Sequence, residues 1–342
     1  MTHSDEHFMK LALKQAKKGL GLTSPNPPVG AVIVSSEGVI LAKGYHHRAG
    51  ANHAEIDAIE NCLKKNSVKK LINATIFVTL EPCSTCGKTP ACTDSLVQYQ
   101  FSRVVYGCCD PNPKHRGRAK SLLLNKGIDV TTGVLEYDCA LLIRFFTKTI
   151  TKELPWLIAK SAMTLDGCTT LPNGMGPWIT GTEALNDVQV LRSQVDAILI
   201  GGNTLRADNP RLTLRGRYAQ SDRLQPWRII STRSGDLPNN SHVFTDQYSD
   251  RTLIFHNKSL RQILKSLTKR NIHSVLMESG GKLLANALKN DLVDELILYY
   301  APIIGGGPTQ AVQSHSLSRR LKHIQSKRFG DDIRLSGLIH EP

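Results

Sequence analysis

The sequence predicts two α/β domains in one chain. Its 342 residues are long for one domain and suit two domains of about 150 residues each. Hydrophobic residues make up 40% and charged residues 21% of the chain, which is typical of a globular protein with a sizeable core. Short β-rich stretches alternate with stretches of helical periodicity, and this alternation predicts central sheets covered by helices.

The first half of the chain opens with a predicted amphipathic helix. Its apolar residues are interspersed with four lysines between positions 8 and 22, a pattern that excludes a secretory signal. No stretch approaches 18 uninterrupted apolar residues, so we expect no membrane span. The elements predicted after this helix are strands 29–34 and 39–45, a helix from about residue 53, strand 74–80, a helix after residue 90, strand 103–107, helix 118–125 and strand 128–131.

A polar stretch that ends at Pro155 predicts the boundary between the domains. We therefore expect a first domain at 1–147, a linker at 148–154 and a second domain at 155–342. The elements predicted in the second half are strand 157–162, helix 183–192, strands 197–201, 227–231, 252–255 and 274–277, helix 282–289 and strand 295–301.

Charge and cysteine content narrow the possible partners and the compartment. The net charge of +14 favours phosphorylated ligands, either nucleic acid or small molecules. The two halves carry the same basic excess, so the chain lacks the basic arm or tail of many nucleic-acid binders; an unspecialised basic surface remains an alternative. Eight cysteines without a secretory signal predict a reducing compartment, and we expect the cytoplasm.

The residues His53, Glu55 and Cys83 predict a zinc-dependent deaminase. His-x-Glu followed by Pro-Cys and a further cysteine is the arrangement of zinc nucleobase deaminases. Three protein ligands leave one zinc position open for a water whose pKa the metal lowers. A carboxyl group outside the ligand set, here Glu55, would carry the proton from that water to the leaving nitrogen.

Two cysteines compete for the third ligand position. Cys86 would complete a short Cys-x-x-Cys, whereas Cys92 follows Thr89 and Pro90, which predict an N-cap and a first-turn proline. This favours Cys92, in the opening turn of a helix, because a helix carrying Cys86 would meet Pro90 one turn later. A closed structural site with both cysteines as ligands remains an alternative.

Longer stretches of the chain resemble the bifunctional deaminase/reductase family of riboflavin biosynthesis. The resemblance covers nearly the whole chain in collinear order. The stretches that carry it are NPPVGAVIV at 26–34, HAE at 53–55, TLEPCS at 79–84, GKTPAC at 87–92, DPNP at 110–113, LDG at 165–167, WIT at 178–180, ADNP at 207–210, LT at 212–213, ESGG at 278–281 and AP at 301–302.

The resemblance implies a fold and two successive reactions on a small phosphorylated pyrimidine. It implies an N-terminal cytidine-deaminase-like domain of three α/β/α layers and a C-terminal α/β domain similar to dihydrofolate reductase. The first would deaminate a ribosylaminopyrimidine phosphate, and the second would use NADPH to reduce the ribosyl group to ribityl. Zn²⁺ would be held by His53, Cys83 and Cys92, with Glu55 as catalytic residue and Asn26 and the 88–89 loop as substrate contacts.

In the second domain the resemblance implies two sets of binding residues. The NADPH set is Ala162, Trp178, Thr204, Asp208, Gly280, Gly281 and Lys282. The substrate set is Lys160, Arg192, Leu212, Arg215 and Glu278. Glycines at a helix start suit a diphosphate, and paired arginine donors suit a phosphate. Gly176 and Thr232-Arg233 depart from the family's usual residues.

Two other functions fit parts of the sequence. A tRNA adenosine deaminase shares His-x-Glu and Pro-Cys, but such enzymes use the short Cys-x-x-Cys and lack the second domain. A reductase with a purely structural zinc module is the other alternative, although Glu55 would then have no role. We expect neither nucleic acid nor a membrane as partner, and a homo-oligomer, dimer or tetramer, as the assembly.

Overall fold

The computed structural model describes residues 4–85, 90–172, 174, 178–219, 223–312 and 318–342. The chain divides into two compact units, one reaching to Glu153 and the other comprising Leu154–Glu341. Across the described residues, every helix is too short or too polar to cross a membrane.

The first unit is built on a five-stranded mixed sheet of order β2-β1-β3-β4-β5. Strand β1 is antiparallel to both of its neighbours, whereas β3, β4 and β5 run parallel. Its elements are α1 (Asp5–Ala16), β1 (Gly30–Val34), β2 (Ile40–Tyr45), α2 (Ala54–Leu63), β3 (Thr75–Leu80), α3 (Cys92–Gln98), β4 (Arg103–Cys108), α4 (Arg118–Asn125), β5 (Asp129–Thr132), α5 (Glu136–Leu142) and α6 (Arg144–Lys152).

Strand β1 shows how helices come to cover both faces of this sheet. All five of its residues are buried, and successive side chains point to opposite faces. Ile33 packs in one cluster with residues of α2, α3 and α4, while Val32 packs in another with residues of α1 and α5. The unit therefore has the expected three α/β/α layers.

Gly44 allows α2 to lie directly against strand β2. A Cβ at this position would lie 2.3 Å from the backbone nitrogen of Ala58 and 2.6 Å from the carbonyl oxygen of Ala54. Since real Cβ atoms essentially never approach other atoms so closely, the helix can adopt this position only over a glycine. This contact sets the depth of the first turn of α2, which carries Glu55.

The segment predicted as a linker, 148–154, is largely helical, which corrects that expectation. Helix α6 runs to Lys152 and ends at Glu153, whose φ is +54°. The hydroxyls of Thr149 and Thr151 donate to carbonyl oxygens four residues earlier, at 2.9 and 2.8 Å. The polar threonines give the segment the composition of a linker. In the structure their hydroxyls are hydrogen-bonded within the helix, so the segment is helical despite that composition.

The second unit is built on an eight-stranded sheet of order β12-β13-β11-β6-β10-β7-β8-β9. The six strands from β11 to β9 in that order are parallel, and β13 and β12 continue the sheet antiparallel. Its elements are β6 (Trp156–Met163), α7 (Thr182–Arg192), β7 (Ala197–Gly201), α8 (Gly202–Asp208), β8 (Trp227–Thr232), α9 (His242–Thr245), β9 (Thr252–His256), α10 (Leu260–Thr268), β10 (Ser274–Glu278), α11 (Gly281–Lys289), β11 (Glu295–Tyr300), β12 (Lys322–Phe329) and β13 (Asp332–Leu338).

The hairpin β12–β13 was not predicted from the sequence. Strand β12 lies at the sheet edge and all but one of its residues are exposed. It therefore lacks the alternation of apolar and polar residues by which a half-buried strand is recognised. Its lysine and arginine side chains suit an edge that must not pair with another chain.

Candidate active sites

Three side chains of the first unit form a candidate metal site. His53, Cys83 and Cys92 each offer one donor atom, and the three atoms lie within 4.8 Å of one another. His53 Nδ1 lies 3.5 Å from Cys83 Sγ and 3.3 Å from Cys92 Sγ. Tetrahedral zinc with bonds of about 2.3 Å to sulfur and about 2.0 Å to nitrogen separates such donors by about 3.6 Å. The donor set and its spacing therefore fit zinc.

Local structure explains how the three donors meet. His53 is the N-cap residue of α2, Cys83 lies just beyond the carboxyl end of β3, and Cys92 is the first residue of α3. The backbone N–H of Cys92 donates to Cys83 Sγ at 3.2 Å. The Cys92 side chain and the His53 imidazole lower the pKa of Cys83 to about 4, which favours the thiolate that binds metal.

The prediction that Cys92 lies in the opening turn of a helix is confirmed. The helix begins at Cys92 with Ala91 as its N-cap, later than the Thr89-Pro90 pair predicts. Cys86 and the 88–89 loop lie outside the described residues.

Glu55 lies beside the three donors and is 3% exposed. Burial, with the negative charge of Cys83, raises the pKa of Glu55 to about 7. Its carboxyl group is hydrogen-bonded to the Cys92 side chain. A carboxyl group with a pKa near neutrality can both accept and donate a proton at physiological pH.

Asn26 is held beside this site by His46, a residue that sequence reasoning missed. His46 Nδ1 lies 2.9 Å from the carbonyl oxygen of Asn52, which can only accept, so Nδ1 carries the proton. His46 Nε2 then accepts from Asn26 Nδ2 at 3.1 Å. Burial lowers the pKa of His46, which favours this neutral form. The amide is thereby oriented with one Nδ2 hydrogen donated to His46, and no hydrogen bond to Oδ1 is made by the part of the chain that the structure describes.

Glu81 is a second residue that sequence reasoning missed. It is buried two positions before Cys83, and its carboxylate accepts three backbone N–H groups, from Asp110 at 3.2 Å, Gly117 at 3.0 Å and Ala119 at 3.2 Å. These bonds tie the loop after β4 to the segment that carries the metal donor. Its place in the EPC stretch was visible in the sequence, but its partners lie 29 to 38 residues away.

In the second unit, three predicted substrate residues come together. Arg192 Nε and Nη2 donate to the Glu278 carboxylate at 2.6 and 2.9 Å. Lys160 is the register partner of Glu278 on the neighbouring parallel strand. Burial alone would raise the pKa of Glu278, but the charges of Arg192 and Lys160 lower it below its usual range.

The other two predicted substrate residues differ in what they can offer. Leu212 is buried in a cluster with Ile198 and Ile230, so its side chain belongs to the core and a substrate could meet only its backbone. Arg215 is exposed, and its backbone N–H donates to Gln189 Oε1 at 3.0 Å. Its charge also lowers the pKa of Glu278, which places its guanidinium within electrostatic reach of that carboxylate.

Comparisons with known proteins place the chain in a family. Residues 155–335 match the family model described as RibD C-terminal domain, and residues 2–108 match the cytidine and deoxycytidylate deaminase zinc-binding region. Riboflavin biosynthesis protein RibD of Buchnera aphidicola is 38% identical over 88% of this chain and 88% of its own length. The chain belongs to the RibD family of riboflavin biosynthesis.

Solved structures agree with this assignment. A RibD structure from Acinetobacter baumannii superposes with a TM-score of 0.88 at 33% identity, covering 98% of this chain and 99% of its own. A deaminase/reductase from Thermotoga maritima gives 0.87 at 34% identity with the same coverage. The expected cytidine-deaminase-like and dihydrofolate-reductase-like folds are confirmed, as is the bifunctional enzyme with a zinc-binding deaminase domain and an NADPH-using reductase domain.

Residues at the end of β10 fit the diphosphate of NADPH. Ser279 Oγ is buried and has no hydrogen-bond partner among the described residues, as expected of a group that meets a ligand. A Cβ at Gly280 would lie 2.9 Å from Thr169 Cγ2, so the backbone here is closely confined. Gly280 caps α11, whose first residues are Gly281 and Lys282. The N–H of Gly281 donates to the carbonyl oxygen of Ala311 at 2.8 Å, so a phosphate at this helix start would have to bind the N–H groups that follow it, beginning with Lys282.

The remaining predicted NADPH residues lie on three different segments. Ala162 is half-buried on β6, while Thr204 and Asp208 lie one turn apart on α8. Trp178 is 63% exposed. Gly176 lies outside the described residues.

Proposed function

We propose that the first unit hydrolyses the exocyclic amine of 2,5-diamino-6-(5-phosphoribosylamino)pyrimidin-4-one and that the second reduces the ribosyl group of the product to ribityl. The Thermotoga maritima relative is described as a diaminohydroxyphosphoribosylaminopyrimidine deaminase and 5-amino-6-(5-phosphoribosylamino)uracil reductase. The observation that carries the proposal is the meeting of His53, Cys83 and Cys92 beside the buried Glu55.

For deamination, the residues divide into metal holders, a proton carrier and a positioning group. His53, Cys83 and Cys92 would hold the metal, which when bound would supply a water of lowered pKa. Glu55, whose pKa of about 7 lies near neutrality, is the group that would accept a proton and donate it to the departing nitrogen. Asn26 offers its Oδ1 to the substrate, in the orientation that His46 imposes.

For reduction, the second unit has to bind a nicotinamide cofactor and a sugar phosphate. NADPH would supply the hydride, and the buried Ser279 hydroxyl, which has no hydrogen-bond partner among the described residues, supports a diphosphate site beside Gly280. Arg192 was expected to grip a phosphate, but its donors are committed to Glu278 and to the Thr213 carbonyl oxygen. The exposed guanidinium of Arg215 is therefore the better phosphate ligand.

Lys160 and Glu278, the other two predicted substrate residues with charged side chains, form a half-buried part of the proposed reductase site. Burial lowers the pKa of Lys160, while the neighbouring Glu278 opposes this effect. Both oxygens of Glu278 accept from Arg192, so Lys160 is the group that can offer N–H donors to the hydroxyls of an open ribosyl chain.

We further propose that the two units are separate domains whose boundary along the chain lies near Leu154, and that the protein acts in the cytoplasm as a dimer or tetramer. The seven described cysteines are all free, which suits a reducing compartment. The assembly rests on the resemblance to the family, and light scattering on the purified protein tests it.

A two-stage assay tests the proposed reactions. The purified, zinc-loaded protein is given the diaminopyrimidine nucleotide, and ammonia is measured before NADPH is added. We expect ammonia first and NADPH oxidation second. Absence of ammonia would contradict the deaminase assignment, and ammonia without NADPH oxidation would contradict the reductase assignment.

A further inference from the structure

The segment after β4, residues 110–120, carries a cluster of exposed cations that neither proposed reaction uses. We name it the basic loop. The side chains of Lys114, Arg116, Arg118 and Lys120 are exposed. No hydrogen bond or ion pair joins any of the four to another side chain in the part of the chain that the structure describes. Charges on a fold's surface are commonly balanced by acidic neighbours, so this excess is available to an anion.

The basic loop has a defined shape. Its ends are fastened to the Glu81 carboxylate by the N–H groups of Asp110, Gly117 and Ala119. Within it, the N–H of Asn112 donates to the Asp110 carboxylate at 2.8 Å. A loop held at both ends and folded on its own side chains fixes the backbone from which the cations extend, which lowers the part of the entropic cost of binding that comes from ordering the loop.

The basic loop also has a defined place. Strands β3 and β4 are parallel, with Leu80 opposite Cys108, so the segments that follow the two strands leave the sheet at the same edge. Cys83 follows β3 at that edge, and the basic loop follows β4. Because Glu81 binds both ends of the loop, the cations flank the metal donors of the deaminase rather than the opposite edge.

We propose that the basic loop is a cationic rim that attracts and orients the 5′-phosphate of the deaminase substrate. This inference rests on the proposed function, which supplies a substrate with a phosphate dianion. Exposed charges act over roughly 30 Å at 0.01 M salt but only about 3 Å at 1 M. The rim therefore raises capture of the substrate at low salt, without taking part in the proton transfers.

Reversal of two charges tests the rim. The double variant Lys114→Glu with Arg116→Glu is compared with wild type, using the phosphorylated substrate and the same compound lacking its phosphate. We expect kcat/KM for the phosphorylated substrate to fall about tenfold at 0.01 M salt and to approach the wild-type value at 1 M. The compound without phosphate should be processed equally by both proteins.

The matched control is Lys69→Glu with Lys70→Glu. These two exposed lysines precede β3, at the other end of that strand, and change the net charge by the same amount. The control should leave kcat/KM for both compounds at the wild-type value, with one zinc per chain in all proteins.

Three results would contradict the proposed role of the basic loop. They are an unchanged kcat/KM in the loop variant, an equal loss for both compounds, and an equal loss in the control. If wild type binds an RNA oligonucleotide, the loop variant does not, and kcat/KM is the same in both proteins, the basic loop binds an anion other than the substrate. Wild-type protein that releases no ammonia would instead contradict the proposed function itself.

Discussion

Replacing Gly44 by alanine adds one methyl group where strand β2 meets helix α2. The new Cβ would lie 2.3 Å from the backbone nitrogen of Ala58 and 2.8 Å from its Cα, whereas ordinary contacts begin at 3.4 Å. The obstacle is helix backbone, which no side-chain rotation can relieve, so α2 must move outwards by about 1 Å. Glu55 and the N-cap residue His53 move with it.

Two magnitudes follow from this displacement. Overpacking of this kind costs about 1–3 kcal/mol of the free energy of unfolding. A misplacement of about 1 Å in a catalytic group costs about a hundredfold in rate. We therefore expect Gly44→Ala to bind zinc less tightly and to lose about a hundredfold in deamination, while the second unit remains intact.

The assay contains its own control. Zinc per chain is measured by elemental analysis, deamination by ammonia release, and reduction by NADPH oxidation with the deaminated compound as substrate. Lys43→Ala, at an exposed neighbouring position on the same strand, should change the free energy of unfolding by less than about 0.5 kcal/mol. Wild-type zinc content and wild-type deamination in Gly44→Ala would refute the reasoning.

Three further perturbations give distinct outcomes. Glu55→Gln should retain zinc and reductase activity but lose ammonia release, and retained deamination would remove Glu55 from the proton path. Arg228→Met should lower the free energy of unfolding by about 3–5 kcal/mol in a denaturant titration, because removal of the buried guanidinium leaves the carboxylate of Asp246 without a countercharge. Arg328→Ala, which removes an exposed ion pair, should lower it by less than about 0.5 kcal/mol. Equal losses in the two variants would contradict this distinction. The hydrogen bond to Asp294 raises the pKa of His340. Protonated His340 therefore stabilises the fold below about pH 6.5, and this stabilisation is lost as the pH rises through the raised pKa. His340→Gln should remove this pH dependence, and identical curves of stability against pH for variant and wild type would disprove the role of His340.

The metal site shows how far sequence can reach. His53 and Glu55 are recognised by their His-x-Glu spacing and Cys83 by the Pro-Cys pair, whereas only folding brings His53 and Cys83 together across the 30 positions that separate them. Cys92 was chosen over Cys86 from the turn chemistry of the residues before it, and the structure places Cys92 with the other two donors. The strands of both sheets other than β12 and β13 were predicted from short β-rich stretches of the chain, since burial in a sheet leaves a local pattern.

The contacts that the sequence does not show join distant parts of the chain. Arg192 is predicted to bind substrate, and in the structure its Nε donates to Glu278, 86 residues away. Glu81 and His46 have no local signature, since their roles depend on loops that only folding brings to them.

Short-range patterns of spacing and periodicity therefore predict the fold class of this protein, and they indicate its candidate metal donors and proton carrier. Which charged groups are neutralised and which stay exposed depends on how the chain folds. The energy of a charge depends on its burial and on its neighbours in space, and neither can be read from its neighbours in the chain.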